Sequence, residues 1–470
     1  MVAGNSSHCG KTTVCLGLIG CLRSRGLNIF AAKSGPDYID RAWLAKACGK
    51  AAANLDIWMS GSNFNALLQS IYGRKDFTGK NSLLLVEGAM GLYDGREDGG
   101  NSCAELALRL GLPILLCLNI AGMGQTCAAM TKGILNYKIP ALGKKAKFLG
   151  LICTFAGSTK HEKTARFALG PVLQAANIPL LGFLPKKDAP SLASRHLGLV
   201  QAEEIKKNFD IFKDWLEKHC DVDAILKRLE YFYPDLIEPV AKHVPAASNK
   251  TKEFFFPPCK PERKKKELSI AIAHDEAFSF IYADLPNLLY SLGATVIFFS
   301  PLHSRSYPIC DGLFLPGGYP EVFAKKLSGK KNFISWLKNL REANSFIYAE
   351  CGAYIFLGES LSACKNVWEF SGLLPLNFTL TKHLQELGYR QARLISRPEI
   401  TVRGHVFHYS RILENLGFNF WKLDDASGAC EGLRIDKIWA SWLHLYPAGS
   451  LQFWKYWLKE IQRQKYGNQA

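Results

Sequence analysis

Short unbroken apolar runs recur along the first half of the chain, separated by stretches whose apolar residues repeat at helical spacing. Leu27 to Ala32, Ser82 to Val86, Ile114 to Asn119, Phe148 to Thr154 and Ile178 to Pro185 are apolar on both faces. That is the pattern of strands buried between two layers of helices. Val14 to Arg25 puts Val14, Leu18 and Leu22 on one face and is closed by Gly26, which predicts a helix with a glycine stop. Such alternation predicts an α/β fold with a doubly wound, mostly parallel sheet. The pattern breaks between Val244 and Glu267, where Pro, Ser and the run Arg263-Lys264-Lys265-Lys266 read as a solvated linker. It restarts with Leu268 to Ala273, Asp311 to Pro316 and Ser345 to Glu350, so a second α/β domain is expected. The predicted organisation is a first domain over 1–243, a linker over 244–267, a second domain over 268–455 and a tail over 456–470.

The loops at the ends of these runs carry the candidate chemistry. Gly4-Asn5-Ser6-Ser7-His8-Cys9-Gly10-Lys11-Thr12-Thr13 reads as a P-loop. Its glycines let backbone N–H groups turn inward on phosphate oxygens, Lys11 brings a point charge, and Thr12 offers a hydroxyl to Mg²⁺. Gly4, Ser6, Ser7, Gly10, Lys11, Thr12 and Thr13 are therefore the expected ATP-binding residues. Only Met1-Val2-Ala3 precede Gly4, so the feeding strand is expected to be very short or to start upstream. Lys33-Ser34-Gly35-Pro36-Asp37-Tyr38-Ile39-Asp40 follows the second run, with two carboxylates beside a lysine. Glu87 ends another run ahead of glycines, the position of an acid that holds a metal or its water. Thr12, Asp37, Asp40 and Glu87 form the expected Mg²⁺ set. Arg195 and His196 stand together on a later loop, suited to carboxylates.

The second domain offers a nucleophile. Cys351 lies between a strand and Gly352-Ala353-Tyr354, at an elbow where a helix N-terminus is expected to lower the thiol pKa. Gly317-Gly318-Tyr319 can supply an oxyanion hole. His444 is the candidate base, with His405 and His408 as rivals.

Composition narrows the partners. Of 470 residues, 48% are hydrophobic and 21% charged, as in a soluble globular protein. No apolar run reaches the roughly 18 residues a membrane span needs, and no signal-peptide pattern is visible, so no membrane partner is expected. The 14 cysteines include no C-x-x-C pair and read as reduced thiols in the cytoplasm. A net charge of +17 suits a polyanionic small molecule better than nucleic acid, for which no motif is present.

From Gly4 to about Leu445, motif by motif, the chain resembles the cobyrinate a,c-diamide synthases, glutamine-dependent amidotransferases of corrinoid biosynthesis. The strings Gly-Pro-Asp-Tyr-Ile-Asp at 35–40 and Glu-Gly-Ala-Met-Gly-Leu-Tyr-Asp-Gly at 87–95 are the most specific. The second domain is similar to the class I (triad) glutamine amidotransferases. The resemblance implies that ATP and Mg²⁺ serve to phosphorylate an acetate side chain of a tetrapyrrole, cobyrinate, at the first site. At the second, Cys351 and His444 would release ammonia from L-glutamine, with Gly317, Gly318, Tyr319 and Gly352 at the oxyanion and glutamine. Lys33, Tyr38, Asp94, Arg195 and His196 would bind substrate, and a homodimer stays open.

Departures from the family pattern are Asn119 for a usual Asp, Thr154-Phe155 for a usual Asn-Arg pair, Val406 between the two histidines, and Tyr446. No acid stands two residues past His444, so a Cys351–His444 dyad is expected. Hydrogenobyrinate or nickel-sirohydrochlorin are alternative substrates. A non-catalytic regulatory or metal-delivery ATPase with a dead glutaminase is the alternative from another class.

Overall fold

The computed structural model describes residues 1–72, 81–140, 142–190, 209–233, 268–363, 365–414 and 417–467. Its contacts divide the chain into two compact units, Met1–Trp58 with Leu68–Ser248, and Met59–Leu67 with Asn249–Ala470. The linker expected over 244–267 lies outside the described residues, as do Arg195 and His196.

The first unit is built on seven strands: β1 (Val2–Gly4), β2 (Asn28–Ser34), β3 (Ala53–Leu55), β4 (Ser82–Glu87), β5 (Ile114–Asn119), β6 (Phe148–Ala156) and β7 (Leu180–Pro185). They form one sheet in the order β3-β2-β4-β1-β5-β6-β7, with every neighbouring pair parallel. The apolar runs become its strands because both faces are covered, so alternation is not needed. β1 is as short as the sequence suggests, yet central. Val2 pairs with Glu87 on one side, and Val2 to Gly4 pair with Leu115 to Cys117 on the other. Its carboxyl end therefore lies between two neighbours, where open sheets of this type place ligands. α1 (Lys11–Ser24) leaves that end and buries Val14, Leu18 and Leu22. Strand β3, three residues long, is too short to show a period in the sequence.

The second unit holds a six-stranded sheet of β8 (Leu268–Ala273), β9 (Ala294–Phe299), β10 (Gly312–Leu315), β11 (Phe346–Glu350), β12 (Leu433–Ile435) and β13 (Ile438–Ser441). The order is β9-β8-β10-β11-β13-β12, parallel except for the last pair. α3 (Gly352–Leu357) leaves β11 directly after Cys351. The unit also holds a mixed sheet of four strands and an antiparallel sheet of five, the latter containing the hairpin of Glu386–Leu394 and Arg397–His408. The stretch expected as a tail, 456–470, is instead helical to Tyr466, within α4 (Leu451–Tyr466). Its Trp457, Leu458 and Ile461 are buried, so the second unit's core extends past 455. Among the described residues no helix is long and apolar enough to cross a membrane.

Candidate active sites

At the carboxyl end of β1 the chain turns through the loop 4–10 into α1. Gly10 caps the helix at φ 90°, a left-handed conformation that glycine adopts without steric cost. Lys11 is buried, and its Nζ donates to Ser6 O at 2.8 Å and to Met90 O at 2.7 Å. The P-loop lysine thus ties its own loop to the loop after β4. Thr12 Oγ1 donates to Glu87 Oε1 at 2.7 Å. Ser6 is half-buried, Ser7 exposed and Thr13 half-buried, around the same turn. Two family departures also sit here: Thr154 Oγ1 donates to Cys9 O, and Asn119 N donates to Asn5 Oδ1. In this chain those positions brace the P-loop.

Parallel pairing of β2 with β4 sets Lys33 opposite Glu87. Lys33 Nζ lies 2.7 Å from Glu87 Oε1, 2.7 Å from Asp40 Oδ2 and 3.8 Å from Asp37 Oδ2. Burial disfavours the ammonium, but the three carboxylates outweigh it and hold the lysine pKa well above its ordinary value. Burial also raises Asp40, yet the neighbouring ammonium brings it below the usual carboxylate range. Glu87, fully enclosed, is pushed up to about 7 by burial. The acids expected to hold a metal therefore gather round a lysine. Asp37 has a second duty, its Oδ1 accepting from Ile39 N and Asp40 N to cap α2 (Tyr38–Cys48). Tyr38 is buried at the first position of that helix, while Asp94 is exposed and holds a turn by accepting from Gly91 N. Asn54, on β3 opposite Lys33, donates to Gly35 O and Asp37 O and so props the loop from below. Sequence reasoning passed over it.

Among the described residues no group of three or more His, Cys, Asp and Glu side chains is placed to hold a metal ion by itself. The donor set still suits Mg²⁺, which takes one or two protein oxygens together with phosphates. Glu87 Oε2 is buried and has no hydrogen-bond partner among the described residues, with the Thr12 hydroxyl on the same carboxylate.

In the second unit Cys351 sits at φ 48°, ψ −106°. This strained conformation is characteristic of a nucleophile lifted clear of its sheet. Cys351 N donates to Ser441 O at 2.7 Å, and the thiol contacts Phe407 O at 3.7 Å. A side chain on Gly352 would come within 2.7 Å of Gly318 O and 3.1 Å of Gly318 N, so the 317–319 loop lies directly over the elbow. Tyr319 is anchored through its N–H to Ala277 O. The expected lowering of the thiol pKa is not found. Burial raises it, and Glu321, Glu350 and Glu431 add to the rise, so in this state the helix end does not outweigh enclosure.

His444 is buried under Gly317, whose missing side chain would stand 2.3 Å from its Cε1. Its ring stacks on His405 at 4.8 Å between centroids and 13°, and burial lowers its pKa well below the ordinary value. His405 meets the Tyr282 hydroxyl through Nδ1 and is held neutral by burial, with a pKa lowered to about 3. His408 stacks on Trp442. The rivals thus support His444 or its surroundings. Glu350, immediately before the nucleophile, was missed. Its Oε2 lies 3.8 Å from His444 Nδ1, while its Oε1 accepts from Tyr348 Oη at 2.9 Å and Leu445 N at 3.1 Å. Burial pushes its pKa up to about 8. The acid sought after His444 in sequence faces it instead from the neighbouring strand.

Glu350→Ala is expected to lower glutaminase kcat by about a hundredfold or more, since it removes the group facing Nδ1. Glu350→Gln, which keeps an acceptor for Leu445 N and mimics the neutral acid, should retain activity to within about tenfold. Wild-type turnover by the alanine variant in a steady-state ammonia assay would remove Glu350 from this role.

The chain matches known proteins across both units. The CobQ/CobB/MinD/ParA nucleotide binding domain model matches residues 1–200, and the CobB/CobQ-like glutamine amidotransferase domain model matches residues 269–450. The sequence is 34% identical over 460 residues to the hydrogenobyrinate a,c-diamide synthase of Brucella abortus, covering 95% of this chain and 97% of that protein. It is 35% identical over 444 residues to that of Rhodobacter capsulatus, covering 91% and 93%. With the cobyrinate a,c-diamide synthase of Salmonella typhimurium it shares 31% identity over 488 residues, covering 98% of each.

Proposed function

Because this chain belongs to the family of glutamine-dependent a,c-diamide synthases, we propose that it amidates the a and c acetate carboxylates of cobyrinate, using ATP and glutamine. It is an enzyme that forms carbon–nitrogen bonds in corrinoid biosynthesis, with glutamine as nitrogen donor. The observation that carries the full reading is the presence of two chemistries in one chain. One is a P-loop whose lysine holds a loop carbonyl and whose threonine meets a buried acid; the other is a cysteine at a strained elbow, with an enclosed histidine facing the acid that precedes it.

A free carboxylate has no leaving group for an amine to displace, so activation comes first. A substrate carboxylate oxygen attacks the γ-phosphorus of ATP, ADP departs, and an acyl phosphate forms. Lys11 and the loop N–H groups bind the phosphates whose charge shifts in that step. Lys33 keeps Glu87, Asp40 and Asp37 together and holds Asp40 charged. Thr12 and Glu87 are the residues that would hold Mg²⁺, which supplies charge neutralisation on the phosphates when bound. At the other site Cys351 attacks the glutamine amide, His444 moves the proton from sulfur to the departing nitrogen, and Gly318 N–H faces the developing oxyanion. Water then releases glutamate. Ammonia displaces phosphate from the acyl phosphate to give the amide, and the cycle repeats at the second acetate.

Hydrogenobyrinate is the second reading for the substrate, favoured by the higher identity to enzymes named for it. The acyl phosphate is tested with substrate carrying heavy oxygen in its carboxylates. Each amide formed should send one heavy oxygen into inorganic phosphate. Unlabelled phosphate would rule the intermediate out.

A further inference from the structure

One acid near the nucleophile, half-buried but with its carboxylate enclosed, has no part in either chemistry so far. Glu431 ends the short strand Cys430–Glu431, just before β12. The next residue, Gly432, has φ +76° and presses against β13, where a side chain would lie 2.8 Å from both Ala440 O and Ser441 Cβ. That approach delivers Glu431 to the end of β13, where Oε1 accepts from Trp442 N at 2.6 Å. One residue earlier, Ser441 O accepts from Cys351 N. The carboxylate therefore stands one residue's step from the nucleophile's own backbone bond, and it acts electrostatically on the thiol. Its second oxygen, Oε2, is buried and has no hydrogen-bond partner among the described residues. Such an oxygen is costly to leave unmet, and a cation placed there removes the cost. Trp442, stacked on His408 and packed edge-on against Tyr354, gives the neighbourhood rigid aromatic walls.

We propose that Glu431 receives the α-ammonium group of the donor L-glutamine and makes the site select an α-amino acid over a simple amide. This rests on the reading that Cys351 attacks glutamine. The donor's amide carbon and α-nitrogen are about 5 Å apart in an extended side chain, so the amide can lie on the thiol while the ammonium reaches a neighbouring carboxylate. Glu431 ends a strand paired to Trp421, close to the strand that anchors the nucleophile, which is the kind of rigid support such positioning needs. Glu321, on the loop beyond Gly318, is the other acid beside the thiol outside the histidine contact. Burial raises it to about 7, and it serves as the control.

The test compares ammonia release from L-glutamine and from glutaramate, which lacks the α-amino group, for the wild type, Glu431→Gln and Glu321→Gln. Glutamine at 431 keeps an acceptor for Trp442 N, and measurable turnover of glutaramate reports a folded site. The wild type should prefer L-glutamine in kcat/KM by about a hundredfold or more. Glu431→Gln should lose at least about tenfold of that preference, mainly through KM for glutamine, while Glu321→Gln keeps it. The proposal is overturned if the wild type shows no preference, if Glu431→Gln keeps the wild-type ratio, or if Glu321→Gln is the variant that loses it. No ammonia from glutamine in the wild type would instead bring down the amidotransferase reading, and this inference with it.

Discussion

Replacing Cys351 with serine should reduce glutamine-driven amide formation by at least about a thousandfold, leaving amidation supported by added ammonium salts. The thiol is the one nucleophile placed at φ 48° between β11 and α3. A serine hydroxyl there inherits the geometry without the acidity or nucleophilicity of sulfur. Burial already holds the native thiol protonated in this state, so His444 must take the proton as attack begins. A serine proton is far harder to remove. On the proposed division the activating step belongs to the P-loop site, which would need only ammonia, whatever its source. The check is product formation with glutamine and with an ammonium salt, side by side. Equal loss with both nitrogen sources would refute the division of labour.

The complementary result is expected at the P-loop. Lys11→Ala should lower amide formation by about a hundred- to a thousandfold, the range found when one preorganised charge is removed from a developing anion. Glutamine hydrolysis should remain measurable, because Cys351 and its partners do not involve Lys11. The lysine's present contacts are two backbone carbonyls, Ser6 O and Met90 O, and the Cys9 thiol. They are the bonds it exchanges for phosphate oxygens, and their loss in the variant leaves no buried charge behind. Measuring ADP, ammonia and amide in one reaction separates the steps. Amide production at the wild-type rate would move the phosphate site away from this loop.

Much of the fold was legible because parallel strands buried on both faces write themselves as plain apolar runs. Leu83 to Val86 and Ile114 to Leu118 need no period to be recognised. The antiparallel hairpin of the second unit was not, because Glu386–Leu394 alternates charged, polar and apolar residues around a glycine, a sequence equally suited to a loop. The short strand β3 gave too few residues to count. The part of α4 past residue 455 was taken for a tail because its charged face, with Lys459 and Arg463, masks Trp457, Leu458 and Ile461, which lie in the core.

The candidate sites divide in the same way. Local motifs such as Gly4–Thr13 and Glu350–Gly352 were readable because their chemistry lies within a few residues. What escaped depends on pairing between distant strands. Lys33 meets Glu87 through the register of β2 on β4, Asn54 meets the 33–40 loop through β3, and Glu350 meets His444 beside the pairing of β11 with β13. No spacing rule connects such residues. Glu350 did carry a signal, since an acid stands directly before the elbow cysteine, but the triad acid was sought on the wrong side of the histidine.

The most direct test of the account is mass spectrometry of the tetrapyrrole after incubation of the purified protein with cobyrinate, ATP, Mg²⁺ and glutamine carrying heavy nitrogen in its amide. Hydrogenobyrinate is run alongside. The account predicts two successive products, the second with two labelled amide nitrogens, and none when either ATP or glutamine is left out. Amides formed without ATP, or both tetrapyrroles recovered unchanged while ATP and glutamine are each consumed, would contradict it.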